Sequence, residues 1–336
     1  MEPVNQFSWD RYPIPAHLPD VHIRDSSLPL VSIVTPSFNQ GKFIRETIES
    51  VLTQDYPNIE YWVIDGGSSD ETLGILRDYE SDPRFHWISE PDSGQSDAIN
   101  KGWSRCRGDI LAWLCSDDLY FAGAIRAQVD YLLAHPDVDA VYSDALYIDV
   151  KGNPVRKYWA RKFSQYELLR ICFIPQPTVF LRRTLIERIG TVNPSLHYAL
   201  DYEYWLRASL NGVFAYSSAD IAKYRLHDDS KTVAASIQFN PEIERIITGF
   251  FEYDNVPPPI RQKSNSLLAD LQLEMAINAA RVNQMALALR HWQASMNYRL
   301  VRPRLFWLLL TIIEAKTHVP VANILTDRWL RFRSKW

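Results

Sequence analysis

Residues 111–118 read Leu-Ala-Trp-Leu-Cys-Ser-Asp-Asp. An apolar run fit for the inside of a sheet stops on two adjacent carboxylates, Asp117 and Asp118. Like charges this close cost energy unless something positive is shared between them. Hard divalent cations take oxygen ligands, and Mg²⁺ is commonly held by one or two carboxylates together with substrate phosphates. The pair therefore points to Mn²⁺ or Mg²⁺ and a diphosphate whose charge the ion would neutralise. The structural alternative is a helix N-cap, where Asp is favoured. A helix over Phe121–Ala134 could use one such Asp but does not call for two.

Four more clusters carry polar groups in suggestive places. Asp65-Gly66-Gly67-Ser68-Ser69-Asp70 puts an acid before two glycines, which let a ligand approach the backbone. Asp65 could accept a hydrogen bond from a base N–H or simply organise a turn, and Asp70 suits a helix cap. Glu90-Pro91-Asp92-Ser93-Gly94-Gln95-Ser96-Asp97 opens a helix. The free N–H groups around Gly94 and Asp97 could hold an anion, although a polar loop needs no ligand. Leu200-Asp201-Tyr202-Glu203 sets two acids in a first helical turn. The helix dipole favours acids there; a general base beside an aromatic surface is the chemical reading of Asp201, with Glu203 its rival. His227 follows a strand in Tyr224-Arg225-Leu226-His227 and is a candidate metal or phosphate contact.

The elements that must position these groups alternate. Apolar runs at Leu30–Thr35, Ile59–Ile64, Phe85–Ile88, Ile110–Leu114 and Ala140–Tyr142 read as strands. Helical patterns lie between them, the repeat Ile44, Ile48, Val51, Leu52 and the stretches Gly94–Cys106 and Phe121–Ala134 among them. This alternation predicts an α/β fold with a mostly parallel twisted sheet flanked by helices. In such sheets ligands collect beyond the carboxyl ends of the strands, where Thr35-Pro36-Ser37, Asp65 and the acidic pair fall. Past 145 the spacing predicts a hairpin of Leu146–Val150 and Val155–Tyr158, helices over Ser164–Ile171, Arg183–Ile189 and Asp201–Leu210, and short strands Val213–Tyr216 and Ile221–Leu226. From about 240 only helical patterns remain, a C-terminal helical extension.

Net charge is −4 over 336 residues, which excludes a generic polyanion binder; no nucleic-acid partner is expected. Residues 281–336 nevertheless hold ten Lys/Arg against two acids, a local +8. With Trp292, Trp307, Trp329 and Trp336 in the same stretch, this end suits an anionic membrane surface, or helices packed on protein. Three separated cysteines form no disulfide scaffold or metal pattern. The N-terminus shows no apolar signal core, and the apolar run Leu305–Ile313 is shorter than the roughly 20 residues of a spanning helix. A cytoplasmic protein, peripheral on the inner face of the membrane, is expected.

Val31 to Asn39, Asp65 to Thr72, Gly94 to Gly102, and Gly108-Asp109 to Asp118 come in an order that strongly resembles the family 2 glycosyltransferases of the GT-A fold, over about residues 30–230. The resemblance implies an inverting, hexosyltransferase-like enzyme of cell-surface polysaccharide synthesis. It implies a nucleotide-sugar donor, usually a UDP-sugar, a divalent cation, and a glycan or lipid-linked acceptor. It implies that Thr35, Pro36 and Ser37 line the nucleotide pocket and that Asp65 holds the uracil. Asp117 would lie near ribose and metal, Asp118 would be the direct metal ligand, Asp201 the base, and His227 a metal or diphosphate contact. One departure is visible: Cys115 and Ser116 stand where many relatives carry Asn or Asp, so the fully acidic Asp-x-Asp form is absent.

The expected organisation is an extended segment 1–29, a catalytic domain 30–235 (nucleotide-sugar half 30–145, acceptor half 146–235) and a helical region 236–336. A sugar nucleotidyltransferase would share sheet and metal but should carry a Gly-rich basic loop after the first strand; Thr35-Pro36-Ser37-Phe38-Asn39 stands there instead. An inactive nucleotide-sugar-binding relative is the non-enzymatic alternative.

Overall fold

The computed structural model describes residues 28–228, 230–231 and 238–298. These divide into two compact units: residues 28–231 without Leu169–Ile171, and residues 238–298 with Leu169–Ile171. Most of the segment 1–29, the apolar run Leu305–Ile313 and the basic end beyond residue 298 lie outside the described residues.

The larger unit is built on a nine-stranded sheet. Its strands are β1 (Val31–Ser37), β2 (Ile59–Asp65), β3 (Phe85–Ser89), β4 (Ile110–Trp113), β5 (Leu119–Tyr120), β6 (Ala140–Ile148), β7 (Pro154–Tyr158), β8 (Phe180–Arg182) and β9 (Phe214–Arg225). The order is β3-β2-β1-β4-β8-β6-β9-β5, with β7 on β6. β1 pairs in parallel with β2 and β4, β2 with β3, and β6 with β9; β5, β7 and β8 run antiparallel to their neighbours. Seven- and four-residue runs buried on both faces make β1 and β4 the centre of the sheet, as covered parallel strands require.

Helices α1 (Ile44–Leu52), α2 (Thr72–Arg77), α3 (Gln95–Trp103) and α4 (Ala124–Ala134) follow successive strands; α5 (Gln165–Leu168), α6 (Arg183–Ile189) and α7 (Leu200–Ser209) serve the second half. Helix α3 packs tightly on the sheet at Gly102, where a Cβ would come within 2.4 Å of a Val34 methyl carbon. The smaller unit is helical: α8 (Phe239–Phe250), α9 (Pro258–Arg261), α10 (Ser264–Arg281) and α11 (Met285–Tyr298), with α10 and α11 sharing a core of Leu273, Ala276, Ile277, Ala280 and Ala288. No helix among the described residues is long and apolar enough to cross a membrane.

Several expected boundaries are corrected. β1 runs through Pro36 to Ser37. Pro36 lies beyond Val34↔Trp113, the last pairing with β4, so its missing N–H breaks no ladder on that side. The helix expected from Phe121 begins at Ala124, because Leu119–Tyr120 is drawn into pairing with β9. Ala140–Tyr142 and Leu146–Ile148 are parts of one strand, β6, which stops short of Val150, and the two short strands expected after 213 merge into one strand, β9, over Phe214–Arg225. Register shifts around Asp144 absorb the polar interruptions that divide them in sequence. The helix expected over Ser164–Ile171 shrinks to the single turn of α5.

Candidate active site

The strand order turns at β1: β2 and β3 lie on one side of it and β4 on the other. Such a switch point opens a crevice at the carboxyl ends of the strands. Ser37 ends β1, and the Cys115–Asp118 loop follows β4. Ser37 is buried and, among the described residues, its Oγ has no hydrogen-bond partner, which is costly without a ligand or water at the crevice. Thr35 beneath it is engaged with the Tyr61 hydroxyl at 2.9 Å.

The acidic loop is held from three elements. Thr47 of α1 lies 2.9 Å from the carbonyls of both Ser116 and Asp118. Asp118 is 3% exposed, and its Oδ1 accepts the Arg225 backbone N–H at 2.8 Å. Burial, and then the charge of Asp117, hold its carboxyl well above the usual range. Asp117 is only half-buried, and its Oδ2 lies 2.9 Å from His227 Nε2. The His227 ring rests on Phe43 with centroids 4.8 Å apart. The acids do not cap α4, whose N-cap is Gly123.

Sequence reasoning passed over Arg225. Its side chain is fully buried. Nε donates to the Asp117 carbonyl at 2.9 Å, Nη1 to the Val150 carbonyl at 3.2 Å and Nη2 to Glu46 at 2.7 Å. The signal was available: an arginine at the end of a strand, before the singled-out histidine, must find acceptors if it is buried.

A ligand atom from each of Cys115, Asp117 and Asp118 lies within 4.8 Å of the others. Two carboxylates with His227 alongside fit a divalent cation. Carboxylate oxygens of this kind suit Mn²⁺ and Mg²⁺ alike. The Asp117–His227 hydrogen bond is the sort of contact that orients a ligand carboxylate.

Asp201 stands at the start of α7, as expected. Its Oδ1 accepts the Tyr202 N–H at 2.8 Å. Burial raises its proton affinity, opposed by two backbone N–H groups and then by Lys231. Burial, and then the charges of Asp118 and Asp117, push the Cys115 thiol well above its usual range, and the charge of Asp201 adds to this. Glu203 is occupied: Arg207 holds it at 2.7 and 2.9 Å and also donates to the Ile189 and Thr191 carbonyls. A relay joins the two sides. Gln176 donates to the Trp113 carbonyl and accepts from Cys115, Gln95 donates to Cys115, and Lys231 donates to Gln95 and the His197 carbonyl.

Two expected contacts are turned inward. Asp65 is wholly buried, and its carboxylate accepts from Gly67 N, Ser68 N, Ser68 Oγ and Ser89 Oγ. Asp97 accepts the Ser93 N–H at 3.0 Å and lies 3.7 Å from Lys101. Both organise loops at the crevice. Gly94, at φ +113, allows the chain to pass His197 as it enters α3. Asp70 fastens the start of α2, accepting from Thr72 N, and also from Gly41 N.

This sheet, crevice and acidic loop define a GT-A glycosyltransferase. A family model described as glycosyl transferase family 2 matches residues 32–190. An uncharacterized glycosyltransferase of Rickettsia typhi is 32% identical over 234 residues, 67% of this chain and 72% of its own. TuaG of Bacillus subtilis, named for teichuronic acid biosynthesis, is 31% identical over 208 residues, 60% of this chain and 81% of its own. Among solved structures, S. aureus TarS 1–349 in complex with UDP-GlcNAc superposes with a TM-score of 0.64 at 18% identity, covering 85% of this chain and 89% of that one. Mannosyltransferase PcManGT from Pyrobaculum calidifontis, in complex with GDP-Man and Mn²⁺, gives 0.61 at 20% identity, covering 95% and 88%. The chain belongs to glycosyltransferase family 2.

Proposed function

We propose that the chain moves a hexose from a UDP-sugar to a hydroxyl of a glycan or lipid-linked acceptor, with inversion, in synthesis of a cell-surface polysaccharide. The observation that carries this reading is the gathering of Cys115, Asp117 and Asp118, with ligand atoms within 4.8 Å of one another, in the loop after β4 at the switch point. The UDP-GlcNAc complex of TarS supports the donor class, the name of TuaG supports the polymer, and the Mn²⁺ complex of PcManGT supports the cation.

Asp118 and Asp117 would hold the divalent cation, with His227 fixing the outer oxygen of Asp117. When bound, the ion supplies Lewis-acid stabilisation of the leaving diphosphate, worth several kcal/mol. Ser37, Thr35 and Pro36 line the nucleotide side. Asp65 shapes the Gly66–Ser68 turn and remains the candidate base contact; Gly94 and Asp97 shape the loop that faces the diphosphate. Asp201 takes the proton from the acceptor hydroxyl as the oxygen attacks the anomeric carbon from the face opposite the leaving group. Its raised proton affinity suits that work, and general base catalysis contributes about 10²–10⁴-fold. Glu203 is a weaker candidate because Arg207 holds both its oxygens.

We place the enzyme in the cytoplasm, its basic segment 281–336 toward the anionic inner face of the membrane. Co-sedimentation with anionic vesicles at low salt tests that placement. The transfer chemistry is tested by following slow hydrolysis of UDP-glucose and UDP-GlcNAc with Mn²⁺ by proton NMR. First release of the β-anomer from the α-linked donor supports inversion; first release of the α-anomer contradicts it.

A further inference from the structure

Strand β7 pairs with β6 alone among the described strands, so it is an edge. Its two faces differ. Arg156 and Tyr158 share the face of Tyr147, and that face is filled: Tyr158 stacks on Tyr147 at 5.1 Å and 9°, and the Arg156 guanidinium lies 4.4 Å from the Tyr147 ring centroid. Lys157 and Trp159 lie on the other face, the ammonium 4.0 Å from the indole centroid. Trp159 is 66% exposed. Val155, the extra residue at the β6–β7 bulge, and Val150 in the turn are exposed as well.

The indole is not carried on a loose loop. The Ala160 N–H donates to buried Asp144 at 2.9 Å, and the Tyr142 hydroxyl donates to the Arg161 carbonyl at 2.6 Å. A fixed backbone therefore holds Trp159 out in solvent. Around it the charge has one sign: residues 150–166 contain Lys151, Arg156, Lys157, Arg161 and Lys162 and no acid. Lys157 is neutralised by Asp220 at 2.9 Å and Asp144 at 3.5 Å, and Asp149 is engaged within the turn by Lys151 N, Asn153 N and Asn153 Nδ2. Lys151, Arg161 and Lys162 are exposed and make no ion pair among the described residues.

This chemistry selects the occupant. A second copy pairing along the edge would set like charges against one another, which is destabilising. A soluble glycan needs hydrogen-bonding groups beside the ring, whereas the apolar neighbours here are two valines and the nearest ammonium is already held by two acids. An anionic bilayer meets both features. Tryptophan is favoured at headgroup level, and Lys and Arg beside an anionic leaflet are attracted to it.

We infer that the edge of the β6–β7 hairpin docks on an anionic bilayer, with Trp159, Val155 and Val150 at headgroup level and Lys151, Arg161 and Lys162 against lipid phosphates. The contact belongs to the unit that holds the candidate active site and is separate from the placement of residues 281–336.

Hydrogen–deuterium exchange of the full-length protein, alone and with phosphatidylglycerol or phosphatidylcholine vesicles at low salt, tests it peptide by peptide. Exchange across residues 150–162 should slow with phosphatidylglycerol only, and recover with added salt. Trp159→Ala, and Arg161→Gln with Lys162→Gln, should each raise the lipid concentration needed for that protection about tenfold, or about 1.4 kcal/mol, with the melting temperature unchanged. No protection of 150–162 on phosphatidylglycerol, equal protection on phosphatidylcholine, or variants that behave like wild type would overturn the inference. Protection of 150–162 by an oligoglucuronate tetrasaccharide with none by vesicles would overturn it in favour of a glycan, and protection that rises with protein concentration alone would do so in favour of a second copy. Peptides from 281–336 are read separately, so failure of the tail placement and failure of this inference are distinguishable.

Discussion

The Arg225 backbone N–H donates to Asp118 Oδ1 at 2.8 Å while its buried guanidinium donates to the Asp117 carbonyl at 2.9 Å. One residue at the end of β9 therefore fixes both members of the acidic pair, one through its side chain's oxygen and one through its main chain. The backbone contact survives any substitution except proline, but the guanidinium contacts do not. Arg225→Met should cost about 1–3 kcal/mol in stability, the range for leaving buried hydrogen-bonding groups unpaired, and should weaken Mn²⁺ binding. Chemical denaturation and isothermal titration check the two effects. Unchanged Mn²⁺ affinity in a folded variant would show that the clamp does not set the acidic loop.

Asp118 is buried beside a second acid, and the Arg225 backbone N–H offsets part of its charge. Removing that charge should relieve the apoprotein and abolish its response to metal. Mn²⁺ at a hundred times its dissociation constant should stabilise the wild-type protein by about 2.7 kcal/mol. Asp118→Asn should melt at or above the wild-type temperature without metal and gain little from Mn²⁺. Scanning calorimetry with and without the ion decides; a variant as responsive as wild type would move the metal elsewhere.

The fold was legible where chemistry forces long signals. β1, β2 and β4 are short apolar runs buried on both faces, so their positions could be read directly. β5 and β8, of two and three residues, are too short to carry a pattern, and their pairing is decided by distant partners. β6 and β9 look broken because Ser143-Asp144 and Ser217–Asp220 interrupt them, and bulges hide the continuity. The acidic pair, Asp201 and His227 stood out by type and position. Arg225 and Lys231 did not, since their roles arise from contacts with residues more than 100 positions away. Asp65 stood out at a strand end before two glycines, but sequence could not show that four local donors surround its carboxylate.

Asp201 is a half-buried acid whose proton affinity is raised by burial and lowered by two backbone N–H groups and then by Lys231. A base must be ionised to work, so turnover should rise with pH as Asp201 deprotonates, with the acid limb above the usual carboxylate range. Lys231→Met removes a cation that favours the ionised form. The limb should then shift to higher pH, read from kcat/KM profiles. A shift to lower pH, or none, would separate Lys231 from the base. Asp201→Asn should abolish transfer and leave UDP binding nearly intact.

Glu203 and Arg207 form a largely buried ion pair that also ties α7 to the Ile189 and Thr191 carbonyls. Glu203→Gln leaves Arg207 short of a charge partner, a loss that typically costs about 3–5 kcal/mol when fully buried and less here, where Glu203 keeps some solvent. The melting temperature should fall while kcat at a permissive temperature stays within a few-fold of wild type. A collapse of kcat in a folded Glu203→Gln protein would make Glu203 the base.

The most direct test of the metal and donor assignments is calorimetric titration of UDP-, GDP- and dTDP-sugars into wild-type and Asp118→Ala protein, with and without Mn²⁺. The expected result is Mn²⁺-dependent binding of a UDP-sugar to wild type, lost or strongly weakened in the variant. Binding that ignores both Mn²⁺ and Asp118, or no binding of any donor, would contradict the assignment of the acidic pair to a metal-bridged sugar nucleotide.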